Sequence, residues 1–348
     1  MLEELDLRQN VLVGSFPKSI FGLPNMKKLL MLQNTNLEGT IPESIENAKS
    51  LQMMSFKRCK LSGSLPDGIG KLSDLYFVTF LGNKMTGSIP EGLTRLPKLE
   101  VLELGSNNFT GTIPAFAEQT ELYFVSLSDN KLKGTIPASL GRLKRLLFFD
   151  IRDNSLSGPI PTSFNEVPEL VTFYASGNSL TGTLPNFAGN VGFLQSMDLS
   201  GNELSGDLKD FLLSPADERL TINIPNNSTS GIAPTVGRFP RLAILALNNN
   251  RISGSIPSEI IELQTLDTLL LSGNKLEGTI PDEFSRLVGL KHIDLSNNDF
   301  AGTISETWKS FQSLSVLDLS SNRFSGTLPS GLENLRNLGK SDVGQLIA

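Results

Sequence analysis

The residues that most often carry out chemistry in proteins are scarce in this sequence. Its 348 residues contain one histidine, His292, and one cysteine, Cys59. His292 falls on a predicted outward strand position with Asp294 two residues later, and a hydrolytic triad or a multi-histidine metal site needs more members than this. Cys59 has no second cysteine with which to form an internal disulfide. We therefore predict a protein that is not an enzyme, with no metal site and no cofactor.

Two short motifs add little to this picture. Gly339-Lys340-Ser341 has the ending of a phosphate-binding loop, but Asn334 stands where that motif needs a glycine five residues before Gly339. Glycosylation sequons begin at Asn108, Asn226 and Asn227. Asn108, on a predicted turn, is the acceptor that we expect if the chain is secreted.

One pattern recurs along the whole chain. Residues 266–289 read L-D-T-L-L-L-S-G-N-K-L-E-G-T-I-P-D-E-F-S-R-L-V-G, and the parts of this stretch return at steps of 23 to 25 residues. One asparagine per unit marks the register, at Asn10, Asn83, Asn107, Asn130, Asn154, Asn178, Asn202, Asn227, Asn250, Asn274, Asn298 and Asn322. Thr35 and Cys59 fill the two gaps, which makes fourteen repeats. A chain that copies itself at this period stacks units around one shared core.

Each unit predicts one short strand followed by a tight return. Leu269 and Leu271 alternate with outward residues, which is typical of a strand with one buried face. The return is rich in glycine and proline, which favours 3₁₀ turns over a full α-helix. We predict one parallel sheet in a single solenoid over 1–338, with a degenerate partial repeat or tail at 339–348.

The register asparagines are predicted to be structural. Backbone groups at the turn out of each strand would otherwise be buried without partners, at about 1–3 kcal/mol each. An amide side chain satisfies both a donor and an acceptor there. We assign this ladder to Asn83, Asn107, Asn130, Asn154 and Asn178. Thr35 and Cys59 are poorer substitutes, so the second and third repeats are predicted to be the most weakly tied.

The combined pattern L-x-x-L-x-L-x-x-N-x-L-x-G-x-I-P, seen at 266–281 and 99–114, resembles the leucine-rich repeat of the plant-specific class. That class forms the extracellular parts of receptor-like kinases and receptor-like proteins. The resemblance implies an α/β solenoid, curved as a horseshoe or superhelix, with parallel strands on its concave face and short 3₁₀ turns on its convex side. It also implies binding of a protein, peptide or small hormone, a co-receptor as a further partner, and an extracellular or cell-surface location.

The sequence departs from those receptors in several respects. They usually carry a signal peptide and cysteine pairs at both ends, and neither is present here, so a cytoplasmic location is the alternative. Arg152 stands alone where some peptide receptors of the class have two arginines spaced by one residue. One unit also breaks the pattern, because Lys209 replaces its proline and Arg219 stands where leucine is expected. We expect a neutral irregularity or a kink at that unit.

Charge and hydropathy exclude two classes of partner. The net charge of −6 argues against a nucleic-acid or anionic-membrane surface, because both need concentrated lysine and arginine. The longest apolar runs, such as 242–247, are far shorter than the ~18 residues of a membrane-spanning helix. We predict neither nucleic-acid binding nor a membrane-spanning segment in this chain.

Outward strand positions predict a binding surface. Six and four residues before each register mark, side chains should point away from the core, because the intervening leucines are buried. Six consecutive repeats have apolar residues at the first of these positions, namely Leu29, Met53, Phe77, Val101, Phe124 and Phe148. Polar and aromatic neighbours, Glu103, Asp150, Arg152 and Tyr174, lie beside this stripe. We predict that a peptide or protein docks over repeats 3 to 8, the alternative being that these aromatics only pack on one another.

Two classes of function remain. The first is a non-catalytic recognition module of the receptor type, with a role in signalling or immune perception. The second is an intracellular scaffold or inhibitor that uses the same face on a protein partner. Repeats 9 to 14, with Asp198, Asp294 and Asp318 on the outward face, are predicted to be solvated or to form a weaker acidic flank.

Overall fold

The strands form where leucines alternate with outward residues, since this alternation buries one side of each repeat. The computed structural model describes residues 2–15, 17–118, 121–184, 193–206, 220–232, 234–330 and 332. It divides the chain into two parts, residues 1–179 and 180–348, called below the N-terminal half and the C-terminal half. The predicted tail at 339–348 lies outside the described residues.

The main strands pair in parallel and in chain order within each half. Among its described residues the N-terminal half has eight, Glu4–Asp6, Lys28–Leu30, Met53–Ser55, Phe77–Thr79, Val101–Glu103, Phe124–Ser126, Phe148–Asp150 and Thr172–Tyr174. The described part of the C-terminal half has six, Ser196–Asp198, Leu220–Asn223, Leu242–Ala246, Thr268–Leu270, His292–Asp294 and Val316–Asp318.

Among the described residues, every main strand except Val101–Glu103 is followed by a second short strand and, in most repeats, by a 3₁₀ turn. The second strands are Val13–Ser15, Asn36–Thr40, Lys60–Gly63, Lys84–Met85, Lys133–Gly134, Ser155–Pro159, Ser179–Thr181, Ser205–Gly206, Ser228–Thr229, Ser253–Gly254, Lys275–Gly278, Asp299–Gly302 and Arg323–Phe324. The 3₁₀ turns are Lys18–Gly22, Glu43–Asn47, Asp67–Lys71, Leu93–Arg95, Ala138–Arg142, Thr162–Glu166, Pro234–Arg238, Ser258–Glu262, Asp282–Arg286 and Glu306–Ser310. The described residues form no α-helix, so the predicted solenoid with 3₁₀ returns is confirmed.

The core of each half is a stack of equivalent side chains from successive repeats. Leu102 and Leu104 are fully buried in the N-terminal half, and Leu269 and Leu271 are fully buried in the C-terminal half. The glycine four residues after the register residue takes positive φ where the second strand ends, as at Gly278 with φ 84°. Proline then precedes most of the 3₁₀ turns, where its fixed φ suits the bend.

The register asparagines tie neighbouring repeats together. The Asn107 amide donates to the carbonyl oxygens of Phe80 at 2.9 Å and Leu104 at 3.0 Å, and its Oδ1 accepts from the Met85 N–H at 3.0 Å. Equivalent bonds are made by Asn83, Asn130, Asn154 and Asn178, and by Asn227, Asn250, Asn274, Asn298 and Asn322 in the C-terminal half. Each amide therefore satisfies backbone groups of its own repeat and of the preceding one.

The second repeat corrects the predicted register. Asn34, and not Thr35, donates to the carbonyl oxygens of Leu7 at 2.8 Å and Met31 at 2.9 Å. Lys28 consequently pairs with Glu4 and Met53 on the outward side, and Leu29 is fully buried. The prediction that Leu29 belongs to the outward stripe was wrong, because a slip of one residue exchanges the two faces of a strand.

One extra residue between Asn34 and Gly39 also accounts for Cys59. The Cys59 thiol donates to the Met31 carbonyl at 3.3 Å but offers repeat 2 no amide oxygen. In repeat 2 the Leu37 N–H donates instead to the Asn34 carbonyl at 2.9 Å, so this donor needs no acceptor from repeat 3. Burial raises the pKa of the Cys59 thiol, which fits a structural residue. The reason for expecting a weak repeat 2, a threonine in place of the ladder amide, is therefore removed, while the expected weakness of repeat 3 stays a prediction.

The repeat that broke the sequence pattern is irregular in the structure. Leu220–Asn223 pairs with Leu242–Ala246 through a register shift at Leu220 and Thr221. Leu220 is buried at 3% exposure, one position after the expected leucine. Lys209 and Arg219 lie outside the described residues.

Candidate binding surface on the main sheet

The outer side of the main sheet in the N-terminal half has a row of apolar side chains, called here the apolar row. It consists of Met53, Phe77, Val101, Phe124 and Phe148, without the buried Leu29. Four of its five predicted members are half-buried, Met53, Phe77, Phe124 and Phe148, while Val101 is buried at 7% exposure. Phe124 and Phe148 stack with ring centroids 4.4 Å apart and planes 3° apart. The Tyr174 ring meets Phe148 edge-on at 6.0 Å. The aromatic rings therefore do pack on one another, as the alternative interpretation predicted, but each ring also keeps part of its surface in solvent.

Sequence reasoning missed a second set of apolar residues along this row. Tyr76, Tyr123 and Leu147 each directly precede a phenylalanine of the row. Tyr123 is 37% exposed and Leu147 is 38% exposed, so both widen the apolar surface beyond the strand itself. The signal was present in the sequence, because Tyr76-Phe77, Tyr123-Phe124 and Leu147-Phe148 occupy the same register.

Asp150, Arg152 and Tyr174 form one cluster beside the aromatic stack. Arg152 donates from Nε to Asp150 Oδ1 at 3.0 Å and from Nη2 to Asp150 Oδ2 at 2.9 Å. The guanidinium carbon lies 4.6 Å from the centre of the Tyr174 ring, a cation–π distance. Asp150 is almost fully covered at 3% exposure, whereas the Arg152 side chain is 40% exposed. Arg152 is thus the accessible member of this pair.

Glu103 is the centre of a second polar cluster. Its carboxylate accepts from Thr79 Oγ1 at 2.6 Å and from Lys57 Nζ at 3.1 Å. Lys57 belongs to repeat 3 and Glu103 to repeat 5, so this ion pair spans the strand between them. The Glu103 side chain is 16% exposed, and a half-exposed lysine covers it.

Between the apolar row and the polar side chains lies a shallow groove, called here the trough. Its floor is the strand position between them. Four floor residues face away from the core yet are buried, namely Ser55 at 3%, Thr79 at 2%, Ser126 at 6% and Asp150 at 3% exposure. The apolar row stands on one side of them, and Lys57, Leu81 and Arg152 stand on the other side at repeats 3, 4 and 7. Gly105 and Ser128 leave that second side low at repeats 5 and 6. The central strand, Phe124–Ser126, pairs in register with both neighbouring strands, so its backbone is already engaged in the sheet. At this strand, the face of the sheet therefore offers side chains and not free backbone groups.

The remaining candidate residues contribute less. Asn108 is half-buried, while Asn226 is exposed and the Asn227 amide bonds within the ladder. His292 lies on an outward strand position as predicted. The described residues bring no three histidine, cysteine or acidic side chains together in a metal-binding arrangement. In the part of the chain that the structure describes, no helix has the length and apolar character needed to span a bilayer.

Comparison of the sequence with family models identifies repeated motifs. A leucine rich repeat model matches residues 240–300, and a second one matches 1–23, 98–119, 121–143 and 313–335. A search of curated protein sequences finds no significant match.

The solved structures that match this chain include ectodomains of plant receptors. The plant peptide hormone receptor RGFR1 in complex with RGF2 is 31% identical with a TM-score of 0.82, and the match covers 97% of this chain and 58% of RGFR1. The ectodomain of the Arabidopsis receptor kinase HAESA with an extended IDA peptide hormone is 27% identical, with a TM-score of 0.77 and coverages of 97% and 61%. HAESA in complex with IDA and the co-receptor SERK1 matches at 31% identity, a TM-score of 0.54 and coverages of 96% and 69%. The chain thus spans about three fifths of the length of the first two receptors.

Proposed function

This chain belongs to the leucine-rich repeat family, and from that premise we propose that it is a receptor-type recognition module for a peptide or a segment of a partner protein. The ligand lies in the trough of the N-terminal half, over repeats 3 to 8. The observation that carries this proposal is the apolar row, because partly exposed stacked rings at Phe124 and Phe148 mark an interaction site rather than a solvated sheet.

The similar receptors support the class of ligand. RGFR1 and HAESA were both solved with peptide hormones, and HAESA also with a co-receptor. By analogy we propose that this chain acts outside the cell, in signalling or immune perception, and that a co-receptor joins the complex. The chain makes the recognition step in this scheme through Met53, Phe77, Val101, Phe124 and Phe148, with Glu103, Asp150, Arg152 and Tyr174 orienting the ligand.

A pull-down from the native source tests the proposal. Phe77→Asp and Phe124→Asp place a charge on the apolar row and should each lose partners that the unaltered chain captures. Val316→Asp is the matched control, because Val316 occupies the same strand position in the C-terminal half and is also half-buried. Asp318→Lys tests the acidic positions of that half. Melting curves of all four variants verify that they remain folded.

The contradicting results are specific. If both phenylalanine variants keep every partner of the unaltered chain, the apolar row is not the binding surface. If Val316→Asp or Asp318→Lys loses the partners instead, the binding surface lies in the C-terminal half.

A further inference from the structure

The residue directly before each ladder residue has a fixed, unusual backbone. Arg58, Ser106, Asp129 and Asp153 have φ of 56°, 51°, 53° and 52°, in the left-handed region that most side chains avoid. This conformation repeats because the ladder amide and the end of the strand hold the turn in the same way in every repeat. The side chains at this position therefore leave the backbone in one direction and form a line along the trough, called here the rim row: Arg58, Gly82, Ser106, Asp129 and Asp153.

The charges of the rim row are segregated. Arg58 is the only basic residue of the row, and Asp129 and Asp153 follow it three and four repeats later, with Gly82 and Ser106 between. All three charged residues are exposed. The structure gives their side chains no hydrogen bond or ion pair among the described residues. At a strand spacing of ~4.8 Å, the positive charge lies about 14 Å from Asp129 and about 19 Å from Asp153.

The charged residues next to the rim row differ from these three, because each of them already forms an ion pair within the protein. Lys57 is paired with Glu103, and Arg152 with Asp150. A partner can still form hydrogen bonds with Glu103 or Arg152, but the charges of these residues are already balanced by counter-ions within the protein. The charge still available to a partner is thus positive at repeat 3 and negative at repeats 6 and 7.

The trough also fixes how an extended partner places its side chains. Successive side chains of an extended chain point to opposite sides, so a segment over the floor residues directs alternate side chains to the apolar row and to the rim row. At ~3.3 Å per residue, Asp129 lies about four partner residues from Arg58, and Asp153 about six. Both numbers are even, which keeps the two complementary charges on the same side of the segment.

Resting on the proposed function, we infer that the ligand is an extended segment with an acidic residue at one end and a basic residue four or six positions away, and with apolar residues at the alternate positions between. The acidic residue meets Arg58, the basic residue meets Asp129 or Asp153, and the apolar residues contact the rings of Phe77, Phe124 and Phe148. Charge complementarity of this kind orients a partner more than it strengthens binding.

A displayed library of random twelve-residue peptides, selected on the immobilised full chain and sequenced, tests the inference. We expect enrichment of acid–base pairs at spacings of four and six over spacings of three and five, with apolar residues between. An enriched peptide should bind Arg58→Asp and Asp153→Lys about three- to tenfold more weakly. Its affinity should also fall between ~50 mM and ~500 mM salt. Exchanging the acid and the base in the peptide should restore binding to the chain that carries both substitutions.

Two controls separate this inference from the proposed function. Asn297→Asp adds a charge at the equivalent left-handed position of the C-terminal half, with φ 52°, and should leave peptide binding unchanged. If enriched peptides lose binding to Phe124→Asp but show no charge spacing, the inference is overturned and the proposed function stands. If no peptide is enriched, or if enriched peptides bind Phe124→Asp undiminished, both are overturned.

Discussion

The outer faces of the two halves differ in depth as well as in composition. In the N-terminal half, Thr79, Ser126 and Asp150 at the strand position that forms the floor are buried beneath their neighbours. At the same strand position in the C-terminal half, Leu270, Asp294 and Asp318 are only half-buried. Two residues earlier, Phe77, Phe124 and Phe148 of the N-terminal half have Thr268, His292 and Val316 as counterparts. Aromatic side chains thus stand beside the floor over several repeats of the N-terminal half, whereas among the described residues of the C-terminal half only Ala246, at 4% exposure, is covered to the same degree at this position.

The framework under these faces is the same. Asn107 in the N-terminal half and Asn298 in the C-terminal half are each 8% exposed, and each bonds its own repeat and the preceding one. Apart from the register shift at Leu220 and the inserted residue of repeat 2, the difference between the halves therefore comes from outward side chains. Recognition is carried by positions that the fold leaves unconstrained.

The acidic positions of the C-terminal half also have a local structural use. Asp198, Asp294 and Asp318 each accept a hydrogen bond at Oδ1 from the N–H two residues later, at 3.0, 3.1 and 2.9 Å. Such an interaction is worth about 1 kcal/mol and explains an aspartate at this position without any partner. The acidic character of this face is then partly a consequence of strand-end bonding.

The largest expected effect concerns the shared framework. Asn130→Ala in the N-terminal half and Asn298→Ala in the C-terminal half should each cost about 1–3 kcal/mol, because each leaves buried backbone groups without a partner. Asn108→Ala should cost less than about 0.5 kcal/mol, since the ladder does not use its side chain. Urea denaturation of the three variants measures the difference. Equal denaturation midpoints for Asn130→Ala and Asn108→Ala would show that the ladder hydrogen bonds do not stabilise the fold.

A smaller effect separates two ion pairs of identical geometry. Arg8 binds Asp6 through the same two atoms that join Arg152 to Asp150, but the Asp6 side chain is 35% exposed and that of Asp150 is 5% exposed. Asp150→Asn should cost about 1–3 kcal/mol, because buried bonds to a charged donor are the costly ones to lose. Asp6→Asn should cost less, since water replaces an exposed partner. A larger loss for Asp6→Asn in denaturation experiments would contradict the assigned burial.

The end repeats should open more easily than the centre of the N-terminal half. Among the described residues the Asn10 side chain bonds only to Leu7 and Arg8 of its own repeat, and Leu2, Val11 and Val13 are exposed. Hydrogen exchange should therefore show residues 1 to about 30 exchanging before repeats 5 to 8. Uniform protection across both regions would mean that the first repeat is covered in solution.

The smallest effect is on pH dependence near that same end. Hydrogen bonds from Lys27, Arg8 and Lys71 hold the pKa values of Glu3, Asp6 and Glu46 below their ordinary values. A lowered pKa in the folded state stabilises above the unfolded pKa, and this contribution is lost as the pH falls through the folded value. Exchange at residues 1 to about 50 should therefore accelerate below about pH 4 more than in repeats 5 to 8. The effect is small because these groups are exposed, and equal acceleration in both regions would contradict it.

The sequence determined most of the fold because the same physical requirement repeats in every unit. The alternating leucines, the ladder asparagines and the turn glycines each indicate the same register independently. The single error, at Thr35, arose where two polar residues adjoin and where Leu29-Leu30-Met31 gives no alternation to choose between faces. An inserted residue then shifts the strand without changing the apparent pattern.

The site was less predictable than the fold. Outward position follows from register, so Phe77, Phe124 and Phe148 were identifiable. How deeply an outward residue is buried does not follow from the register, because its burial depends on how far the neighbouring side chains extend. The burial of Asp150 beneath Arg152, and the bridge from Lys57 to Glu103 over two repeats, are set by side-chain conformations that a linear pattern does not encode.

Hydroxyl-radical footprinting with a bound peptide from the library selection tests whether the apolar row of the N-terminal half is the recognition surface. Oxidation of Phe124, Phe148 and Tyr174 should fall on binding, because the peptide covers these rings, while oxidation of His292 and Val316 stays unchanged. Val316 and His292 provide the internal reference, since they occupy the equivalent position of the apolar row in the C-terminal half. Protection of His292 and Val316 with unchanged Phe124, Phe148 and Tyr174 would contradict the account.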